Sequence, residues 1–522
     1  MRYLKDNNNG SSNPPEQELV SQPLSLNLQE NQKNLEILLK ECSDAVLRSF
    51  SFGYNKKTNC LLLYFDGLVD RQEIETNLLK PMLLELNIAQ QKKSELATEG
   101  LLQEVQNEII AMADVKTLKT IQEVLHHISS GDAVLLLDGY NTGLVAGTRS
   151  WQTRGIQRPE NEPNIQGPKE GFSETLRFNT ALLRRRLKST NFKIESMILG
   201  KITKTDVVIC YINNIAGKDL INEVKKRLSR IEIDGVLDSG YLEEFIEDTS
   251  LTIFSQVEYT EKPDRVVGHL LEGRVCIMVD GSPMALIVPT TFPQYINSGE
   301  DYYQRFIPAT LFRILRYFAF TFALTLPSMY VAITTYHQEM IPPPLYLTIA
   351  ASREGVPFPA LVEALLLEAT FELLREASLR LPGAIGPAIS IMGALIIGDA
   401  AVKAGLVSTP MVVVIAFTGI ASFATPSYNA GIIVRMLRFL VLLAASVLGF
   451  FGIIITILLI LIRMASLESF GTPYLSPLSP INRAQMSDTF IRRPWYNNRI
   501  RPYMPGMENQ IRQNNTSNDN GG

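Results

Sequence analysis

The sequence predicts a two-lobed α/β soluble N-terminal domain followed by an α-helical multi-span membrane domain. Three observations carry that expectation. Apolar residues concentrate in residues 317–462, although hydrophobic residues make up only 46% of the whole 522-residue chain. Upstream, short apolar runs end in Asp-Gly at Asp66, Asp138 and Asp280, as strands closed by turns do. Among the later apolar runs lies a helix-forming stretch, 358–381, with six charged side chains. Ionisable groups kept at membrane depth are expensive and mark a pathway or a relay.

Composition bounds the function. The net charge of −4 gives no reason to expect nucleic acid as a partner. The four cysteines, Cys42, Cys60, Cys210 and Cys276, form no C-x-x-C pair. That pattern suits a reducing compartment and argues against disulfides or a zinc site. His126 and His127 are adjacent, so on a helix they point to different faces and make no ligand pair. No metal and no cofactor is expected. The first eight residues lack an apolar core and cannot form a secretory signal, which leaves the soluble domain in the cytoplasm.

The expected organisation is a disordered tail (1–31), a first α/β lobe (32–150), a second lobe (151–300), a helical transmembrane domain of four to six spans (301–464) and a disordered basic tail (465–522). The first tail is rich in Asn, Ser, Pro and Gln. Residues 60–65 then form a strand, and the periodicity of 73–128 supports several helices. Two later strands, 133–137 and 275–279, each follow a glycine at the same distance and run into Asp-Gly. Asp-Gly between apolar runs signals a type I′ hairpin turn. The match is short, so chance and a two-lobed duplication both stand. Between these runs, 197–199 and 207–212 read as strands and 218–229 as a helix.

A rigid, turn-rich loop, 158–172, feeds a basic helix with Arg177, Arg184, Arg185, Arg186 and Lys188. That helix reads either as a solvated cationic face or as a contact with an acidic neighbour, another subunit or anionic lipid. Arg184, Arg185 and Arg186, with Lys169 and Glu170 of the loop, are the candidate oligomer interface. No P-loop, nucleophile elbow, G-x-G-x-x-G or H-E-x-x-H accompanies them, so an enzyme is not expected.

Arg305, Arg313 and Arg316 beside aromatic residues predict a segment lying at the headgroup level. Residues 317–336, 409–434 and 439–462 are uncharged and long enough to cross, with Pro327 a kink in the first. Residues 381–398 form a weaker span, where Gly386, Gly393 and Gly398 allow close helix packing. Within 358–381, Glu372 with Arg375 and Glu376 with Arg380 stand at pairing distance along a helix. Glu363 and Glu368 have no such partner. Glu363, Glu368, Glu372 and Glu376 are therefore the candidates for an ion pathway or gate. Either this helix lies flat with its acids in water, or it lines an aqueous path. A flat helix gives four crossings and returns the arginine-rich tail to the cytoplasm; a crossing helix gives five, and a re-entrant pair between 342 and 381 restores even parity. A cytoplasmic tail is the expectation.

The run Pro357-Phe358-Pro359-Ala360, with Glu363-Ala364, Glu368, Phe371-Glu372, Leu374-Arg375-Glu376-Ala377 and Arg380-Leu381-Pro382, closely resembles the membrane signature of spore germination receptor A subunits, the GerA family. So do residues 393–398 and 400–408, and in the soluble domain Gly167-Pro168-Lys169-Glu170-Gly171-Phe172 and Leu183-Arg184-Arg185-Arg186-Leu187. The resemblance implies a nutrient receptor component in the inner spore membrane. Its implied partners are a transporter-like B subunit that binds the germinant, a lipoprotein C subunit, membrane lipid and further copies of itself. It also implies a ring enclosing a cation channel whose opening releases ions. A secondary transporter and a non-conducting scaffold remain alternatives.

Overall fold

The computed structural model describes residues 19–52, 58–85, 101–106, 110, 112, 115–150, 159, 162, 166–380, 398–482, 486, 488–502, 504–507 and 509–513. The soluble domain is built on one plan used twice. Helix α1 (Leu28–Leu38) buries Leu28, Leu35 and Leu38 along one stripe. It leads into β1 (Ala45–Phe52), β2 (Thr58–Phe65), β3 (Val115–Leu118), α2 (Ile121–Ser129), β4 (Ala133–Leu137) and β5 (Gly143–Ala146). These strands form an antiparallel sheet in the order β1-β2-β4-β5-β3. Then come α3 (Leu176–Arg186), β6 (Phe192–Leu199), β7 (Thr205–Ile212), α4 (Lys218–Ser229), α5 (Ser239–Ile246), β8 (Glu258–Thr260), α6 (Pro263–Leu271), β9 (Val275–Val279) and β10 (Ala285–Val288). The second sheet repeats the order as β6-β7-β9-β10-β8.

Central strands that are apolar at every position must be covered on both faces. In the first sheet Leu61, Leu63, Val134 and Leu136 pack on one side, and Cys60, Leu62, Leu135 and Leu137 on the other. The second divides in the same way, Val207, Ile209, Val275 and Ile277 against Val208, Cys210, Cys276 and Met278. The repetition reaches individual bonds. Asp138 Oδ1 accepts from the Leu28 N–H at the start of α1 (3.2 Å), as Asp280 Oδ1 does from Leu176 at the start of α3 (3.0 Å). Asn31 and Asn179 each bracket a serine backbone, Ser25 and Ser173, through both amide atoms. Shared strand order and matched caps favour duplication over chance. The Asp-Gly pairs do not make two-residue turns, however. In the pairs at 138 and 280 the glycine takes positive φ and the aspartate does not, and residues 138–142 and 280–284 connect the strands.

The helices that follow among the described residues include α7 (Phe306–Tyr336), α8 (Pro343–Arg353), α9 (Ala360–Arg380), α10 (Thr409–Phe423) and α11 (Tyr428–Ala465). Helices α7 and α11 are long and apolar enough to cross a membrane. The expected spans 409–434 and 439–462 are both cut. A turn at 424–427, where Pro426 lacks an N–H and disfavours helix at Thr425, separates α10 from α11. Gly449 (φ 61°, ψ −139°) breaks α11, and a Cβ added to Gly452 would collide with the Ala444 carbonyl. The chain doubles back there. Ala430 and Met464, near opposite ends of α11, share one cluster with Phe254 and Tyr295 of the soluble domain.

Two boundaries differ from the sequence-based expectation. Leu19 and Leu24 are buried and α1 starts at Leu28, so order begins before residue 31. The C-terminal segment, expected to be disordered, folds onto the soluble domain in its described residues. Its hairpin β11 (Glu468–Ser469) and β12 (Thr472–Pro473) is anchored where Ser469 Oγ donates to the Gln256 carbonyl (2.7 Å). Arg501 Nε donates to the Leu271 carbonyl (2.8 Å), and Tyr474 is buried. Polar composition concealed these anchors because each uses a single side chain. Within the segment expected at headgroup level, Arg313 and Arg316 both turn inward to Asp301, and Arg313 is fully buried. Only Arg305 of that trio is exposed.

Candidate functional site

Helix α9 sits against α7, α10 and α11, and its first two acids are buried. Glu363 stands in the first turn of α9. Its Oε2 accepts from both the backbone N–H (2.8 Å) and the hydroxyl (2.7 Å) of Ser408, the residue capping α10. Its Oε1 lies 3.4 Å from Arg353 Nε at the end of α8. One carboxylate thus fastens three helix ends. A negative charge at two helix N-termini also complements their dipoles.

A turn and a half further along, Glu368 meets Arg438 of α11 at 2.6 Å, with both side chains 1% exposed. Proline explains how Arg438 is held. Pro327 has no N–H, so within α7 the carbonyl of Ala323, four residues earlier, loses its helical donor. Arg438 Nε donates to that oxygen at 2.7 Å. The guanidinium therefore spans α7 and α9 from α11. Small residues make the approach feasible, with Ala319, Ala323, Ala421 and Val434 packed together. Gly419 of α10 gives way to Phe371 of α9, whose Cζ would lie 2.7 Å from an added Cβ.

One turn on, Glu372 pairs with Arg435 of α11 (3.0 Å) and with Arg375 in its own helix (3.5 Å). Arg375 donates to Ser422 Oγ (3.0 Å) and stacks over Phe371 and Phe423. The expected Glu372–Arg375 pairing is present in this form. Glu376 is exposed, and the Arg380 side chain lies outside the described atoms. Several polar atoms in this seam are buried without a hydrogen-bond partner among the described residues: Glu363 Oε1, Glu368 Oε1, Glu372 Oε1, Arg438 Nη2, Ser328 Oγ and Tyr330 Oη.

These placements revise the expectation. Glu363 and Glu368 lack partners in their own helix but find them on α8, α10 and α11. Acids of a flat helix facing water do not describe them. Arg438, Arg435, Arg353 and Ser408 were not singled out. The readable signal was the pair Arg435 and Arg438, three apart in an apolar run, with a proline on an earlier span to free a carbonyl. Of the packing glycines, Gly386 and Gly393 lie outside the described residues. Gly398 makes no close approach, since a Cβ added there would sit at an ordinary 3.8 Å from Val412.

The basic cluster of α3 is also placed. Arg184, a candidate for an oligomer interface, is instead buried between the two sheets. It forms a fork to Asp44 (2.9 and 2.7 Å), donates to the Phe192 carbonyl (2.8 Å) and lies between the rings of Phe65 and Phe192. Arg185 and Arg186 both bind Glu170, while Lys169 is exposed.

A two-sheet soluble domain, followed by a helical bundle with buried ion pairs and two helices fit to cross a membrane, defines the class of protein. Residues 33–504 match the family described as Bacillus/Clostridium GerA spore germination protein. The chain belongs to that family. It is 41% identical to spore germination protein KA of Bacillus subtilis (95% of this chain, 89% of the relative). Identity is 44% to an uncharacterised membrane protein, YfkQ, of the same organism (92% and 91%), and 36% to GerLA of Bacillus cereus (93% and 97%). A crystal structure of the N-terminal domain of the A subunit of the Bacillus megaterium germinant receptor GerK3 is 34% identical; the alignment covers 52% of this chain and 98% of that one, with a TM-score of 0.42.

Proposed function

We propose that this chain is the A subunit of a germinant receptor in the inner spore membrane and that several copies form a nutrient-gated cation channel. The observation that carries the reading is the α9 seam. One oxygen of each of Glu363, Glu368 and Glu372 is buried without a hydrogen-bond partner among the described residues. A buried polar atom without a hydrogen bond costs about 1–3 kcal/mol; arginines lie 3.4 and 3.5 Å from the oxygens of Glu363 and Glu372, which leaves Glu368 Oε1 as the place where the seam most invites water or ions. Glu372 and Glu376, the less buried pair, would draw cations toward the path. Glu363 and Glu368 would act at the gate, since each ties α9 to a different neighbour and opening must break at least one of those ties.

The soluble domain would lie in the cytoplasm. The C-terminal segment packs on it, which supports a cytoplasmic tail. Partners would be a nutrient-binding B subunit and a C-subunit lipoprotein. Lys169, Glu170, Arg185 and Arg186 remain the accessible members of the candidate oligomer contact, and catalysis has no place in this reading.

The test is passive flux of monovalent cations through the reconstituted receptor. Glu372→Gln with Glu376→Gln is expected to reduce flux several-fold while the subunits still assemble. Unchanged flux removes those acids from the path. A scaffold reading draws on the same seam, because Arg438 and Arg435 neutralise Glu368 and Glu372. An open-state conductance from this subunit alone excludes a scaffold; saturating, coupled flux identifies a transporter instead.

A further inference from the structure

The C-terminal segment closes a cavity of about 130 Å³ against the second sheet and its following loop. Arg274, Arg493, Arg501 and Arg512 line it, against only two carboxylates, Glu272 and Asp488. The lining therefore carries an excess of two positive charges. Arg501 is spent on the carbonyl oxygens of Leu271, Asn509 and Ile511. The others are only partly used. Arg274 is 3% exposed, and its Nη1 donates to Pro289 O and Gln294 Oε1, while its Nε, 3.7 Å from Glu272 Oε2, makes no hydrogen bond among the described residues. Arg512 Nη2 reaches Glu272 Oε1 (3.2 Å), but its Nε is likewise unpartnered. Thr472, also 3% exposed, has a buried hydroxyl with no partner among the same residues. The guanidinium of Arg493 has no hydrogen bond or ion pair among the described residues, where only its backbone N–H is bonded, to Asp488 Oδ1.

The unused donors of Arg274, Arg493, Arg512 and Thr472 therefore outnumber the one unpartnered buried acceptor of the lining among the described residues, Asn297 Oδ1. Burial pushes the Glu272 carboxyl up, but neighbouring His269, Arg274 and Arg512 outweigh that and hold it at about 2. It is ionised, and the lining remains two charges positive even with Glu272 and Asp488 both counted as anions. Guanidinium forks match the oxygens of phosphate in plane and spacing. At about 30 Å³ per water the cavity has room for a few waters, enough for a five-atom phosphate group.

We propose that this cavity binds a phosphate-bearing anion, with Arg274, Arg493, Arg512 and the Thr472 hydroxyl as its donors. A dianion would match the excess charge and take the unused N–H groups. Its position gives it a consequence. The floor includes Asp488, whose side chain accepts from Tyr302 (2.9 Å) and whose backbone oxygen accepts from Arg313 at the base of α7. Bound anion would brace the C-terminal segment against the root of the first long helix. This holds whether or not the chain conducts ions.

The experiment is calorimetric titration of inorganic phosphate into the full-length chain in nanodiscs of zwitterionic lipid, at constant ionic strength. Saturable binding is expected, weakened at least tenfold by Arg493→Gln and by Thr472→Val. Arg493 is only partly buried and holds no carboxylate with its guanidinium among the described residues, so its variant tests binding without loss of a structural pair. A second arm repeats the titration in discs containing phosphatidate. Phosphate binding abolished there assigns the site to a lipid headgroup, and binding unchanged assigns it to a soluble phosphate compound. No saturable binding to the parent chain, or equal binding by both variants, overturns the proposal and leaves the cavity to water.

Discussion

Arg184 and Arg438 are both buried arginines, and the contrast between them separates the two halves of the molecule. Arg184 uses its whole fork: two bonds to Asp44, carbonyl acceptors on Ser189 and Phe192, and two phenyl rings. Arg438 also has a carboxylate and a carbonyl, but its Nη2 and the Oε1 of its partner Glu368 are left over among the described residues. A buried charge with every bond made fixes one arrangement. One with bonds to spare can exchange partners at smaller loss. The seam between the sheets has its bonds made, whereas the seam among the helices has bonds to spare, which is what the proposed gating requires of it.

The sharpest way to break the contrast is Arg184→Ala. Removing one member of a buried pair strands the other, Asp44, and costs about 3–5 kcal/mol. Thermal melting of the full chain followed by intrinsic fluorescence should show the soluble transition fall by several degrees. A shift under one degree would mean the inter-sheet seam is held by something else, such as Lys193 Nζ donating to the Leu38 and Lys40 carbonyls.

The soluble half also holds a carboxylate with no cation against it among the described residues, and it sharpens the comparison through pH. Burial raises Glu243 to about 7, with Glu247 and Glu244 adding to the rise against a single hydrogen bond from Ser255. The folded chain holds that proton more tightly than the unfolded chain, whose ordinary value is 4.5. Its contribution to stability is therefore full below pH 4.5 and is lost as pH rises through about 7. At about 1.4 kcal/mol per unit the loss is about 3 kcal/mol at most. Glu243→Gln should flatten stability between those pH values and leave the variant more stable than the parent at pH 8. Parallel curves for the two would show that Glu243 is hydrated.

How much of this was legible in the sequence follows from the range of each interaction. Strands β2, β4, β7 and β9 declared themselves because an unbroken apolar run has few other places to go. The acid-bearing helix α9 was visible for the same reason, as charge where charge is costly. Partners were not, because Glu368 and Arg438 are 70 positions apart and nothing local records their meeting. Arg184 misled through its neighbours: three consecutive arginines read as a surface, yet successive helical side chains point to different faces and only the first of these meets the seam. The reversal at Gly449 was hidden in a run with no charged residue to mark it, since a glycine in an apolar stretch reads equally as packing.

Pro327 offers the smallest and most discriminating change. Pro327→Ala returns an N–H to α7, where it competes for the Ala323 carbonyl that Arg438 now uses. A hydrogen bond from a charged donor is worth about 1.5–3 kcal/mol, and some of that loss is regained within the helix. If Arg438 tethers α11 to α7 in the resting arrangement, weakening the tether favours opening. The nutrient concentration for half-maximal cation release should then fall, by no more than about tenfold for about 1.4 kcal/mol of net bias. Arg184→Lys, which also removes hydrogen bonds from a buried arginine, should leave that concentration where it was. A fall with both variants would erase the difference between the two seams; a fall with Pro327→Ala alone would place the movable joint at the carbonyl that proline sets free.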